Sequence, residues 1–231
     1  MLRIAARFQG PPESGNGGYS AGLLAKQLGG CVEVTLRKPP PLEQELALAL
    51  GASGGVELRH GSELIAEARA STLELVPPAP PSFERASELC RHYVGHLKHY
   101  FPGCFVCGPA RAQGDGLRIF PGRDPGTELF AAPWIPDASL AERNQTVPAE
   151  VMWAALDCPG YFAAAAPSYP VALLGRMTAE VESPVQVGER CVVIGWSLGR
   201  EGRKLYAATA LFGGDGRLCG KARQTWIELQ S

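Results

Sequence analysis

The sequence lacks an excess of either charge: 22 Lys and Arg stand against 23 Asp and Glu, for a formal charge of −1. Nucleic acid or an anionic membrane therefore meets no broad attractive field, and a polyanionic ligand must be held by a local basic cluster. Long apolar runs are missing too. No stretch reaches the roughly 18 residues a membrane span requires, and the opening MLRIAARFQGPPESG has no apolar core of the secretory kind. The expectation is a cytoplasmic chain with neither nucleic acid nor membrane as partner. Cysteines come in an odd number, seven, scattered among apolar neighbours, which suits reduced thiols in a core better than a disulfide framework. Histidine is scarce, with four residues at His60, His92, His96 and His99. What remains is an ordinary globular composition, 231 residues of which 45% are hydrophobic, enough for a real core.

The proline-dense VPPAPPSFERASELC, residues 76–90, reads as a linker followed by a short helix. It divides the chain into residues 1–76, a linker over 77–103, and residues 104–231. Before it lie a Gly-rich opening, the helix-like YSAGLLAKQL and strand-like runs at CVEVTLRK, EQELALAL, GVELRH and LIAEARASTLEL. After it come GLRIFPG, ELFAAPWI, the apolar helical stretch TVPAEVMWAALDCPGYFA, and four strand-like runs ending in LCGKARQTWIEL. Both halves thus read as one helix followed by antiparallel strands, the pattern of a tandem repeat. Residues 66–75 (AEARASTLEL) lie over residues 220–229 (GKARQTWIEL), matching Ala68 with Ala222, Arg69 with Arg223, Glu74 with Glu228 and Leu75 with Leu229.

A helix wrapped by a curved antiparallel sheet, present twice, resembles the α+β double hotdog architecture of acyl-CoA thioesterases. The segment CFVCGPARAQGDGLRIFPG resembles the leading segment of phenylacetate-pathway thioesterases, and GNGGYSAGLLA resembles the Gly-Gly helix start of bacterial acyl-CoA thioesterase II. VPAEVMWAALD stands where the former family has His-Gly-Gly and an apolar helix ending in an acid.

The resemblance implies that each site is built from the start of one helix and the carboxylate of the other. Laying Gly17 on Ala149 and Gly18 on Glu150 places Ala25 under Asp157, and the last strands place Ala70 under Gln224. The first repeat would then be degenerate, supplying backbone donors near Gly17 and Gly18 for the thioester carbonyl. The second would supply Asp157 as base or nucleophile, with Gln224 holding the attacking water. Asn16 in the family's His position, Arg176 and Tyr161 are candidate substrate contacts. Arg37 and Lys38 are further cations for coenzyme A phosphates. The family's threonine falls at Leu174, which can neither donate nor accept. Plainer readings stand beside these: Asp157 as a helix-end residue before Pro159, Gln224 as an outward-facing strand residue, Gly17 and Gly18 as turn glycines, Asn16 as a helix cap, and Glu150 as a first-turn acid.

The run CRHYVGHLKHYFPGCFVC gathers Cys90, three histidines, Cys104 and Cys107. On a helix His92, His96 and His99 would share a face, and Cys104-x-x-Cys107 has zinc-knuckle spacing. No second Cys-x-x-Cys pair accompanies it, so the reading is a solvated linker helix and a buried turn with no metal. The insert YFAAAAPSYPVALLG either lines an acyl tunnel or crosses the surface. The leading expectation is hydrolysis of an acyl-CoA, with no cofactor beyond the coenzyme A of the substrate and with the internal pseudo-dimer available for further homo-oligomerisation. Its rivals are a non-catalytic double hotdog binding an acyl ligand or a partner and, with no histidine in either helix segment, a less favoured enoyl-CoA hydratase.

Overall fold

The computed structural model describes residues 1–51, 54–141 and 143–230. The first half holds helix α1 (Gly17–Ala25) and strands β1 (Val32–Leu36), β2 (Ala47–Leu50), β3 (Val56–His60) and β4 (Glu63–Ala70). Helix α2 (Phe83–Cys90) lies between the halves. The second half holds β5 (Gly122–Arg123), β6 (Phe130–Trp134), helices α3 (Ala149–Ala155) and α4 (Cys158–Ala165), then β7 (Ala172–Val181), β8 (Cys191–Glu201), β9 (Lys204–Phe212) and β10 (Leu218–Glu228).

Among the described residues ten strands form one sheet in the order β2-β3-β4-β1-β7-β10-β9-β8-β6-β5. Read outward from its centre, β1-β4-β3-β2 mirrors β7-β10-β9-β8, so each half repeats the same path after its helix. The halves join where β1 and β7 pair antiparallel, from Val32 opposite Ala179 to Thr35 opposite Arg176. This is the α+β double hotdog arrangement.

Helix α1 is buried on nearly every side, as its run of small and apolar residues requires. It packs against α3 through two glycines one turn apart. A Cβ on Gly18 would lie 2.6 Å from Asp157 Cβ and 2.7 Å from the Trp153 carbonyl, and one on Gly22 would lie 2.6 Å from Glu150 Cα. The order of these contacts makes the two helices antiparallel.

Two sequence expectations are corrected. The apolar stretch around Asp157 is two helices, broken at Leu156 and Asp157 (φ −74°, ψ −78° at Asp157). Pro159 is the cause: in a continuous helix it would lack its N–H and clash with the Ala155 carbonyl, whereas the first turn of a new helix accepts it. The histidine run is likewise no continuous helix, for α2 ends at Cys90 and a short 3-10 turn follows at Val94–His96. Tyr93 draws this segment inward, its ring 5.1 Å from that of Phe120 and its hydroxyl donating to the Cys107 carbonyl at 2.9 Å. The backbone of Gly95 lies directly under that ring, where a Cβ would come within 2.3 Å. His92, His96 and His99 therefore share no helix face. Among the described residues no helix is long and apolar enough to cross a membrane.

Candidate active site

Asn16 sets the geometry of the site. It precedes α1 with extended backbone, and its Oδ1 accepts the Tyr19 N–H at 2.9 Å, capping the helix as the plain reading expects. Its other end does something the sequence did not reveal: Nδ2 donates to Asp157 Oδ2 at 2.8 Å. The Gly18 N–H donates to the same oxygen at 3.0 Å. Ser20 N–H reaches the Asn16 carbonyl in the first helical bond. Of the donors at this helix start, the Gly17 N–H alone has no acceptor among the described residues.

Asp157 arrives from the break between α3 and α4. It stands where a capping residue would, but its side chain makes no cap and turns towards α1 instead. It is 1% exposed, and its Oδ1 is buried without a hydrogen-bond partner. Burial pushes the Asp157 carboxyl up to about 7, against the opposing pull of the Gly18 N–H and the Asn16 amide, while the Cys104 sulfur adds to the rise. A buried carboxyl with one oxygen fixed by neutral donors and the other unpartnered can exchange a proton near neutrality.

The break is itself held in place. The Leu156 carbonyl, freed by it, accepts from Thr209 Oγ1 at 2.8 Å and from Gln224 Nε2. Gln224 Oε1 accepts the Trp226 indole N–H at 2.8 Å. Gln224 is thus inward-facing and 1% exposed, contrary to the plain reading. Donor and acceptor ends of its amide are both engaged by the protein, and it does not line the cavity beside Asp157. The structure places it behind the carboxylate, bracing the segment that aims it, instead of holding a water in front.

That cavity has a volume of about 490 Å³ and a mostly apolar wall. Asn16, Gly17 and Asp157 all line it, with Leu174 against Gly17. Tyr161 lines it, its hydroxyl donating to the Pro170 carbonyl at 2.9 Å, and Phe162, Tyr169 and Ala172 show that the inserted segment forms its wall. Arg37, Lys38 and Lys98 supply positive charge in the lining.

Arg176 is a correction. It lies outside the cavity lining, half-exposed, with Nε donating to Thr35 Oγ1 at 3.1 Å and 3.8 Å from a Glu33 carboxylate oxygen. The cause is a β-bulge: Leu174 pairs with Trp226 and Arg176 with Thr225, leaving Gly175 extra. A single inserted residue flips the faces that follow, so Leu174 points to the cavity and Arg176 away from it. Thr178 follows Arg176 outward, its hydroxyl 3.4 Å from Glu33 Oε2, and cannot replace the missing threonine.

No histidine lies in either helix segment, as the sequence indicated, yet one reaches the cavity from outside them. His99 lines the cavity, although neither ring nitrogen is open: Nδ1 accepts the Phe101 N–H at 2.9 Å and Nε2 lies 3.3 Å from Cys107 Sγ. Burial lowers its pKa. Cys104, Cys107 and Cys158 complete this wall, with their three sulfurs within 4.8 Å of one another.

No protein-family model matches the sequence, and no curated protein matches it. Solved structures do match in fold. A tesB protein of Mycobacterium avium subsp. paratuberculosis is similar over 99% of this chain and 91% of its own, with a TM-score of 0.61 and 14% identity. A candidate thioesterase II from Thermobifida fusca matches 99% of this chain and 91% of its own, at TM-score 0.62 and 13% identity. A hot dog fold protein of unknown function from Alicyclobacillus acidocaldarius matches 99% of this chain and 92% of its own, at TM-score 0.52 and 9% identity. At such identities the likeness is one of fold: the chain has the double hotdog fold.

Proposed function

We propose that this protein hydrolyses an acyl thioester of coenzyme A in the cavity at the start of α1. The observation that carries the reading is the buried Asp157 carboxylate, pinned through Oδ2 and unpartnered at Oδ1, beside the unused N–H of Gly17 on an apolar cavity wall. The Gly17 N–H, at the positive end of a helix, would receive the thioester oxygen as charge develops on it. Asp157 Oδ1 would take a proton from water as the water oxygen bonds the carbonyl carbon; on collapse the C–S bond breaks and the proton passes to the departing thiolate. Asp157 could equally bond the acyl carbon first and be freed by water, and incorporation of labelled water oxygen into the carboxyl group in a single turnover separates these routes.

Asn16 and Gln224 serve as positioning residues, one fixing the carboxylate and the other the helix break behind it. Lys98 is a cation available to coenzyme A phosphates, with Arg37 and Lys38 beside it if they exchange their Glu67 and Glu63 partners for phosphate, and the aromatic insert wall would receive the acyl group. The chemistry asks for no cofactor. The test is a hydrolysis screen across short, medium, long and aromatic acyl-CoAs, with turnover of at least one class expected in the wild type and lost in Asp157→Asn.

A second reading has its own support. With Leu174 apolar and Gln224 engaged elsewhere, two positions suited to holding water are not available for it, which favours an acyl-ligand binder without turnover. Saturable binding of an acyl-CoA with no hydrolysis over hours would establish that reading and sink the first.

A further inference from the structure

Cys104 and Cys107 sit on a tight turn, Cys104-Phe-Val-Cys107-Gly108, closed by the Gly108 N–H donating to the Cys104 carbonyl at 2.9 Å. Glycine is required at 108, where a Cβ would lie 2.5 Å from the Cys104 carbonyl oxygen and 2.6 Å from its nitrogen. This is a turn that gathers two sulfurs. The third sulfur comes from far along the chain: Cys158 is the first residue of α4.

The three sulfurs lie within 4.8 Å of one another, and Cys104 Sγ is 3.8 Å from Cys158 Sγ. Tetrahedral zinc holds thiolates at about 2.3 Å, which sets neighbouring sulfurs about 3.8 Å apart. A disulfide would use only two of them and would have to draw the pair to about 2.05 Å. His99 stands next to the group, but the Phe101 N–H bound at its Nδ1 assigns the ring proton to Nε2, which therefore donates to Cys107 Sγ and cannot ligate. The Asn16 amide lies 3.9 Å from Cys104 Sγ. Such donors offset the negative charge that three thiolates place around a dication.

We propose that Cys104, Cys107 and Cys158 bind one zinc ion through three thiolates, with the fourth coordination position open to the cavity that all three line. Binding displaces the thiol protons to solvent. The site ties the turn at Cys104 to the start of α4, next to Asp157, and it stands whether or not the cavity hydrolyses a thioester.

Metal content tests it. Wild-type protein grown with zinc and purified under reducing conditions is expected to carry roughly one zinc per chain by mass spectrometry. Cys104→Ala and Cys158→Ala are expected to fall to background, while Cys31→Ala, remote from the site, keeps the metal. Should the alanine variants fail to fold, cobalt substitution of the wild type decides alone: a thiolate-to-cobalt charge-transfer band with intense tetrahedral visible bands supports the site. Zinc below about a tenth per chain together with no charge-transfer band overturns it. So does a freshly purified chain lighter by two hydrogens with Cys104 joined to Cys158, or a cobalt spectrum unchanged in both folded variants.

Discussion

The two ends of the α1–α3 pair are built on one plan and differ in what their carboxylates face. At one end α1 begins with Asn16 and two glycines, and Asp157 meets two neutral donors on a single oxygen. At the other end α3 begins after Pro148, which offers no side-chain cap, and Ala25 stands near where a second acid would belong. The carboxylate there is Glu150, 9% exposed, with both oxygens within 3.4 Å of Lys26 Nζ. An ion pair uses up a carboxylate, whereas neutral donors gathered on one oxygen hold it still and leave the other free to react. None of Ala25, Lys26, Ala149 or Glu150 lines the cavity. Burial alone therefore does not distinguish the two acids; the identity of their partners does.

The sharpest way to break this comparison is Asp157→Asn, expected to lower kcat for acyl-CoA hydrolysis by roughly 10²–10⁴-fold. The amide oxygen can still accept from Gly18 and Asn16, so the unfolding temperature should move little. If hydrolysis survived, the end containing Asp157 would be no more a catalytic centre than its counterpart. Next in size are the paired glycines. Gly18→Ala and Gly22→Ala each force a methyl group against the opposite helix and should cost about 1–3 kcal/mol in denaturant unfolding. Only Gly18→Ala displaces Asp157, so at equal folded fraction it alone should lose activity.

Gln224→Ala leaves the Trp226 indole without its acceptor and the Leu156 carbonyl with one donor fewer, at a cost of about 1–3 kcal/mol. Because it acts through the helix break, it should reduce kcat more than it alters KM, and Gln224→Glu, which sets a buried carboxylate oxygen against the Leu156 carbonyl, should not recover the stability. A pure loss of substrate affinity would contradict its placement behind Asp157. The smallest effect belongs to the other end: Glu150→Gln should leave kcat/KM within about twofold and change stability by no more than about 1 kcal/mol, since its Lys26 partner is nearly half-exposed.

Much of the architecture was legible because strands alternate and are punctuated by glycine and proline, and because a helix start such as Asn-Gly-Gly writes its capping chemistry locally. The pairing of Asp157 with that helix start was readable by comparing the halves and by family resemblance. Features resting on a single inserted residue or a distant partner were not. The bulge at Gly175 reverses which side of β7 faces the cavity, and no periodicity in LLGRMT announces it. Pro159 was visible and marked Asp157 as a helix end, yet the apolar run on both sides hid that a second helix begins there. The Cys-x-x-Cys turn was noticed without its third sulfur, since Cys158 meets it only after α4 folds against the turn. The second hydrogen bond of Asn16 was hidden for the same reason.

The seam between β1 and β7 has a consequence for the integrity of the molecule. Residues 71–82 connect the halves without regular secondary structure, whereas the halves themselves are stitched by backbone pairing from Val32 to Thr35 and by the interlocked glycines of α1. A protease that severs this connection leaves the stitching intact. The two fragments should stay associated in gel filtration, and separately produced fragments should reconstitute the ligand pocket on mixing.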